Sequence, residues 1–445
     1  MDFNAFKQIV IEKCAEKGIE EYELYYQSAE STSVSAFQHE INQFTGSFEG
    51  GVCFRCIVGG KMGYASTEAL NAEQAALIVE KAADNAVVLE SEEEVFLCEG
   101  GQEYATLEDN SYEMPSTEEI VSTVLSTQEK LYAANPAVID GCQTQGIAES
   151  SEIAIYNSKG LDLHSKANLS GLVVVAVVTD GQEMANDFQI KLAKLDTIDT
   201  DKLTAEAAKS ALGKLGGEVA PTGQYPVVFN PEAMSDLLQT FSSIFSSRAA
   251  QKGLSKLAGK EGEMIASSAV TIVDDPFHPD APMPRTFDAE GSPTYKKNLI
   301  ENGEFKTLLY NLKTAAVDGK KTTGNASKSD YASAVGISPF TMYLAAGDMT
   351  EEALLAKAGN GVYINSLGGL HAGANAVSGD FSLQSAGFMI EDGKKTTAVK
   401  SFTVAGNFYE LLKNITAVAS NLELPGMAHF GSPSVLVEGL SIAGK

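Results

Sequence analysis

The strongest constraint on this fold is a pair of two-residue corners in the last third of the chain. Leu299-Ile300-Glu301-Asn302-Gly303-Glu304-Phe305 and Met389-Ile390-Glu391-Asp392-Gly393-Lys394 each fold an apolar run back across Asn-Gly or Asp-Gly. These dipeptides tolerate positive φ at both central positions, which a type I′ turn needs to match the twist of its strands. The segment 222–445 therefore reads as mostly β, and the echo between the two hairpins is compatible with an internal duplication. Helices are few there. Asn230-Pro231 opens one, with Asn as N-cap and Pro at the first helical position. Asn407 with Glu410 caps a last one along the stripe Phe408, Leu411, Leu412 and Ile415.

The first half alternates helix and strand signals. Phe3 to Lys17 carries a helical stripe of Phe6, Ile9, Val10 and Cys14. Strands are expected at Glu23–Gln27, at Ser33–Phe44, and on either side of Gly59-Gly60-Lys61. Asn71 with Gln74 caps a helix to about Leu89, before the acidic run Glu92-Glu93-Glu94. Cys98 to Met114 is polar and irregular. Ser116 with Glu119 caps the next helix, and strands follow at Glu152–Tyr156 and Leu161–Asn168 around the turn Asn157-Ser158-Lys159-Gly160. Leu172 to Val178, an unbroken β-branched run, reads as a buried strand. Leu203 to Leu215 is a helix stopped by Gly216-Gly217. The whole is an α+β chain: an α+β domain over 1–95, a middle α+β domain over 110–217, and a β-rich C-terminal domain over 222–445.

With 59 acidic and 32 basic residues, the formal charge of −27 repels polyanions, so direct contact with nucleic acid is disfavoured. No basic n-region precedes an apolar segment at the N-terminus, and no run approaches the ~20 apolar residues that span a bilayer. Neither secretion nor a membrane is expected. Five scattered cysteines suit a reducing cytoplasm. Cys53 and Cys56 lie three apart on an expected strand, hence on opposite faces, and read as structural.

Five histidines decide the enzymology. A helical zinc-peptidase site needs two imidazoles on one helix face and a carboxylate between them to activate metal-bound water. His39-Glu40 is the single His-Glu pair, it falls on an expected strand, and Phe44 stands where a second His would be needed. His371 lies in a Gly-rich loop, with Asn375, Ser378 and Asp380 close behind. These four are the candidate substrate-binding residues. His278, in Asp274-Asp275-Pro276-Phe277-His278-Pro279-Asp280, reads as a surface turn able at most to supply metal ligands. Gly439 to Lys445 resembles the start of a phosphate loop but has no Ser/Thr or helix after it. Gly319 to Gly324 is a small basic turn. No catalytic residue and no metal ligand is assigned.

Several segments together resemble the TldD/PmbA family, whose members are also labelled modulators of DNA gyrase. They are Gly51 through Ser66, Asn157 to Gly160, Asp288 to Thr294 leading into Asn302-Gly303, Ser378-Gly379-Asp380-Phe381, and Ala405-Gly406-Asn407. The resemblance implies an α+β N-terminal region, a β-rich C-terminal domain and dimeric assembly. It also implies cytoplasmic proteolysis of unfolded or extended peptides by a zinc enzyme. TldD-type chains carry His-Glu-x-x-x-His on a helix after a short strand; PmbA-type (TldE-type) chains lack it. The similar place here is Pro226-Val227-Val228-Phe229 and the helix from Pro231 to about Arg248. That helix carries an apolar stripe of Met234, Leu237, Leu238, Phe241 and Phe245. Its small polar stripe is Ser235, Gln239, Ser242 and Ser246, with no His, Glu or Cys. By resemblance the chain is a non-catalytic PmbA-like subunit with no cofactor of its own. Zinc is expected on a TldD-type partner, or the chain pairs with itself as a homodimer. Two other readings stand beside it. One is a self-sufficient metallopeptidase using His371, Asp380 and the Asp274/His278 loop. The other is a non-enzymatic peptide-binding or gyrase-modulating protein.

Overall fold

The computed structural model describes residues 1–90, 94–107 and 112–444. Glu92 and Glu93 of the acidic run, and Lys445 of the phosphate-loop-like motif, lie outside the described residues. The N-terminal half runs α1 (Phe3–Lys17), β1 (Glu21–Phe37), β2 (Glu40–Val58), β3 (Lys61–Thr67), α2 (Ala72–Val88), α3 (Thr117–Ala134), β4 (Gln143–Asn157), β5 (Asp162–Thr179), β6 (Met184–Leu192) and α4 (Thr200–Leu212). Its six strands form one antiparallel sheet in the order β3-β2-β1-β4-β5-β6. The β1–β4 pairing runs from Glu23↔Asn157 to Phe37↔Gln143 and joins strands that lie far apart in sequence.

All four helices cover one face of this sheet. Leu24, Phe54 and Cys56 pack with Phe6 and Val10 of α1 and Ile78 and Val79 of α2. Val34, Leu172, Val174 and Ala176 pack with Ile120 and Val124 of α3 and Leu203 and Ala207 of α4. At roughly 1.5–3 kcal/mol for each large side chain removed from water, these clusters hold the layer together. The opposite face carries Tyr25 and Cys53, which meet Phe287, Ala289 and Ala326 of the C-terminal half. Cys53 and Cys56 thus point to opposite faces, as their spacing requires, and both are buried.

Three strand expectations change. Ser33–Phe44 is not one strand: the chain reverses at Gln38-His39, both at positive φ. Tertiary contacts hold that unfavourable corner. His39 N–H donates to Gln128 Oε1 at 2.7 Å, Gln128 Nε2 donates to Ala36 O at 2.8 Å, and the imidazole stacks on Tyr132. Leu161–Asn168 and Leu172–Val178 are parts of one long β5. Within it, Leu172, Val174, Ala176 and Val178 are buried while Val173, Val175 and Val177 are only half-buried, so one face alone is sealed.

The C-terminal half contains β7 (Glu218–Val219), β8 (Gly223–Phe229), α5 (Pro231–Phe241), α6 (Ser247–Gln251), β9 (Gly361–Gly368), α7 (Leu370–Gly373), β10 (Asp380–Glu391), β11 (Lys394–Asn407), α8 (Phe408–Lys413), β12 (Ile415–Val418) and β13 (Val435–Ala443). The strands form a sheet in the order β12-β13-β8-β9-β10-β11-β7, and β13 pairs with β11 as well. That second pairing closes β13, β8, β9, β10 and β11 into a small barrel and removes two free edges. A separate five-stranded sheet is built from Glu304–Phe305, Lys297–Glu301, Ile272–Asp274, Met342–Leu344 and Phe430–Gly431. The fold is α+β with a β-rich C-terminal region. Asn302 and Asp392 adopt positive φ, so both two-residue corners form. They lie in different sheets, and the echo stops at the corner. Gly439 to Ala443 belongs to β13 rather than to a phosphate loop. Among the described residues no helix is long and apolar enough to cross a membrane.

The helix expected from Pro231 to about Arg248 is broken. α5 ends at Phe241, a 3₁₀ turn spans Ser242–Phe245, and extended Ser246 precedes α6. The hydroxyl of Ser242 bonds back to the Gln239 carbonyl at 2.8 Å, and such back-bonding at a Ser-Ser pair unwinds a helix.

Candidate functional site

A large cleft, about 920 Å³, lies where the two halves meet. Its walls are Phe188–Lys194 of β6 and its exit, Lys202, Glu206 and Ser210 of α4, and Asn230 and Glu232 at the start of α5. Loops at Pro279–Pro282 and Leu422–Pro425 complete it. β6 is the last strand of its sheet and pairs with β5 alone, leaving one backbone edge free among the described residues. Asn230 fixes the floor. Its Oδ1 accepts from Ala233 N at 2.8 Å, and its own N–H donates to Ile364 O at 3.0 Å, tying the helix start to β9.

Glu232 is the chemically unusual group. Burial pushes its carboxyl up to about 7, helped by the charges of Asp187 and Asp236 and opposed by Lys214, with Glu423 adding further repulsion. Asp236, one turn along, is pushed up to about 6 by burial. Asp187 is anchored by Ser210 and by Lys214 at 3.0 Å. A carboxyl held near half-protonation at neutral pH can donate or accept a proton.

Laid along His-Glu-x-x-x-His, the start of α5 places Pro231 at the first His, Glu232 at the Glu, and Asp236 at the second His. Among the described residues no histidine or cysteine lines the cleft. Among the described residues no group of three or more His, Cys, Asp or Glu is disposed to hold a metal. Zinc ligands must be deprotonated, whereas these two carboxyls are biased toward their protonated forms, so the residues present do not fit a zinc ion. None of Ser235, Gln239, Ser242 and Ser246 lines this cleft. Ser235 is buried and donates to Pro231 O at 2.6 Å. Glu232, three residues before Ser235 and seven before Gln239, continues that face toward the helix start, and Asp236 stands beside it. The spacing of the motif, placed on the Asn-Pro helix start, is the signal that finds them.

The structure brings Asn375, Ser378 and Asp380 together in one turn. Asn375 Oδ1 accepts from the N–H groups of Val377 and Ser378, and Ser378 Oγ accepts from Asp380 N–H at 3.3 Å. Asn407 Nδ2 donates to Ser378 O and to Asp380 Oδ1 at 2.8 Å, which holds the Asp380 carboxyl below its usual value with help from Ser378. Asn407 also caps α8, so the turn locks the start of β10 to the end of β11. His371 stands exposed on α7. None of the four lines the large cleft. Asp274 is buried, not a surface turn: it pairs with Lys297 at 3.2 Å and accepts from Asn325 Nδ2 and Phe340 N. His278 packs edge-on against Tyr343. In the basic turn, Lys320 pairs with Glu261. His164 meets Glu152 across β4 and β5 at 2.8 Å.

Three family models account for most of the chain: PmbA/TldA metallopeptidase domain 1 over residues 22–86, the central domain over 110–215 and the C-terminal domain over 222–444. The chain belongs to the PmbA/TldD family. A protein of Methanothermobacter thermautotrophicus named metalloprotease is 30% identical over 312 residues, 66% of each chain. An uncharacterized protein of Methanocaldococcus jannaschii is 27% identical over 96% of this chain and 97% of its own. In the solved structure of a Thermotoga maritima protein that carries the DNA gyrase modulator name, the fold superposes with a TM-score of 0.91. That protein is 31% identical, over 99% of this chain and 100% of its own. The fold of TldE from Thermococcus kodakarensis matches with a TM-score of 0.89 at 24% identity, over 99% and 100%.

Proposed function

We propose that this chain is the PmbA/TldE-type subunit of a family metallopeptidase. It binds an unfolded or extended peptide, and a TldD-type partner supplies the zinc. The observation that carries the reading is the start of α5, where Pro231 and Asp236 stand in place of both imidazoles while Glu232 remains. The cleft suits a peptide backbone. An extended segment can pair with the free edge of β6, gaining main-chain hydrogen bonds without demanding a sequence. Glu232, when protonated, donates to a peptide carbonyl; when ionised, it accepts from an N–H. Asn375, Ser378 and Asp380, with His371 nearby, form a second polar turn available to a longer peptide on the C-terminal half.

The test is to purify the chain alone, measure its metal content, and incubate it with a reduced, carboxymethylated protein, with and without a TldD-type chain. No stoichiometric zinc and no cleavage alone, with cleavage in the mixture, are expected. Chelator-sensitive cleavage by the chain alone would refute the assignment.

A further inference from the structure

β6 offers two chemically different rows of side chains to anything that pairs with its edge. In register with β5, Asp187, Gln189 and Lys191 lie beside Ala176, Val174 and Leu172, on the side that α3 and α4 cover. Phe188 and Ile190 lie beside Val175 and Val173 on the opposite side, and Leu192 continues their row. Phe188 is 48% exposed, and Ile190 and Leu192 are half-buried, on the last strand of the sheet. An apolar row that reaches an uncovered strand edge suits another strand better than it suits water.

The ladder fixes which backbone groups point outward. Ala193 N–H donates to Ser170 O at 3.0 Å, and Asp180 N–H donates to Glu183 O at 3.4 Å. Both pairs continue the β5–β6 register, so the odd-numbered residues of β6 exchange bonds with β5. Bonded and non-bonded pairs alternate along antiparallel strands. The N–H and C=O groups of Phe188, Ile190 and Leu192 therefore turn to the open side. Asp187 Oδ1 already accepts from the Phe188 N–H at 2.9 Å, which leaves Ile190 and Leu192 to anchor an incoming strand. The residues with outward backbone groups are the same ones that form the apolar row.

We propose, resting on the peptide-binding role given to this cleft, that β6 selects extended peptides with apolar side chains at every second position, through Phe188, Ile190 and Leu192. A strand paired to this edge sends alternate side chains to the two faces of the sheet. One set extends the strip formed by Val173 with Ile190 and Val175 with Phe188 by one more strand. The other set falls on the side of Gln189 and Lys191, where polar side chains stay hydrated. Each apolar cross-strand pair changes affinity by about 1.5- to fivefold, so three together give roughly tenfold.

The experiment is fluorescence anisotropy of labelled peptides with the full chain, chelator being present throughout so that cleavage does not enter. The peptides are an alternating Val-Gln sequence, an isomer with the valines in adjacent pairs, an alternating Thr-Gln sequence, and the Val-Gln sequence with its backbone N-methylated. Alternating Val-Gln is expected to bind tightest, the paired isomer about threefold more weakly and Thr-Gln roughly tenfold more weakly. In a Phe188→Thr/Ile190→Thr double variant, which keeps β-branched residues in the strand, the preference for Val-Gln over Thr-Gln should shrink to about twofold. Equal affinity for Val-Gln and Thr-Gln, equal affinity for the two isomers, or an undiminished preference in the double variant overturns the apolar row and leaves pairing at the edge standing. Undiminished binding of the N-methylated peptide, or no binding of any of the four, overturns pairing at the edge and the row with it.

Discussion

Replacing Glu232 by Gln is expected to stabilise the protein at high pH and not at low pH. The sign follows from protons. A carboxyl at about 7 in the folded state and near 4.5 when unfolded binds more protons folded than unfolded between those values. Wild-type stability therefore falls as pH rises through that window, and the loss is complete above about 7. At about 1.4 kcal/mol per pH unit, the gap sets a ceiling of about 3 kcal/mol. The cleft admits water to the carboxyl, so about 2 kcal/mol is the expected gain from the neutral amide. Urea unfolding of both proteins at pH 5, 6, 7 and 8 provides the assay, at constant ionic strength. The two curves should nearly coincide at pH 5, separate through pH 6 and 7, and stay apart at pH 8. A difference that does not vary with pH would mean that Glu232 is not held protonated by its burial beside Asp187 and Asp236. That result would remove the donor role assigned to it.

Arg55→Ala leaves Glu23 of β1 and Glu290 of the C-terminal half buried without their paired cation, and should lower unfolding free energy by about 3–5 kcal/mol in denaturant. Gly63→Ala would set a Cβ 1.9 Å from the Ala82 carbonyl oxygen. Prising α2 from β3 in this way should cost about 3 kcal/mol, read as a lowered thermal midpoint. Asn407→Ala removes the cap of α8 and the bond to Asp380, and should cost about 1–2 kcal/mol by urea titration. An undiminished midpoint in that variant would show that the turn holding Asn375, Ser378 and Asp380 is not locked by Asn407.

Local chemistry was readable wherever a short segment satisfies itself. The Asn-Gly and Asp-Gly corners, the capping box at Ser116 and Glu119, and Asn230-Pro231 at the start of α5 need no distant partner, and each forms where the residues indicate. The opposite faces of Cys53 and Cys56 follow from strand geometry alone. The Gln38-His39 corner was not readable, because neither residue favours positive φ; Gln128 and Tyr132, some ninety residues on, hold it. The break after Phe241 was hidden by an apolar stripe that continues through Phe245 across the 3₁₀ turn.

The candidate cleft divides in the same way. From the residues alone came the family resemblance, the absence of a His-Glu-x-x-x-His helix, and the helix that would have carried it. Those depend on identity and spacing along a few turns. Only the tertiary structure put Glu232 beside Asp187 from β6 and left the edge of β6 facing it. A pKa is set by the charges and water excluded around a group, and those arrive from elements scattered through the chain.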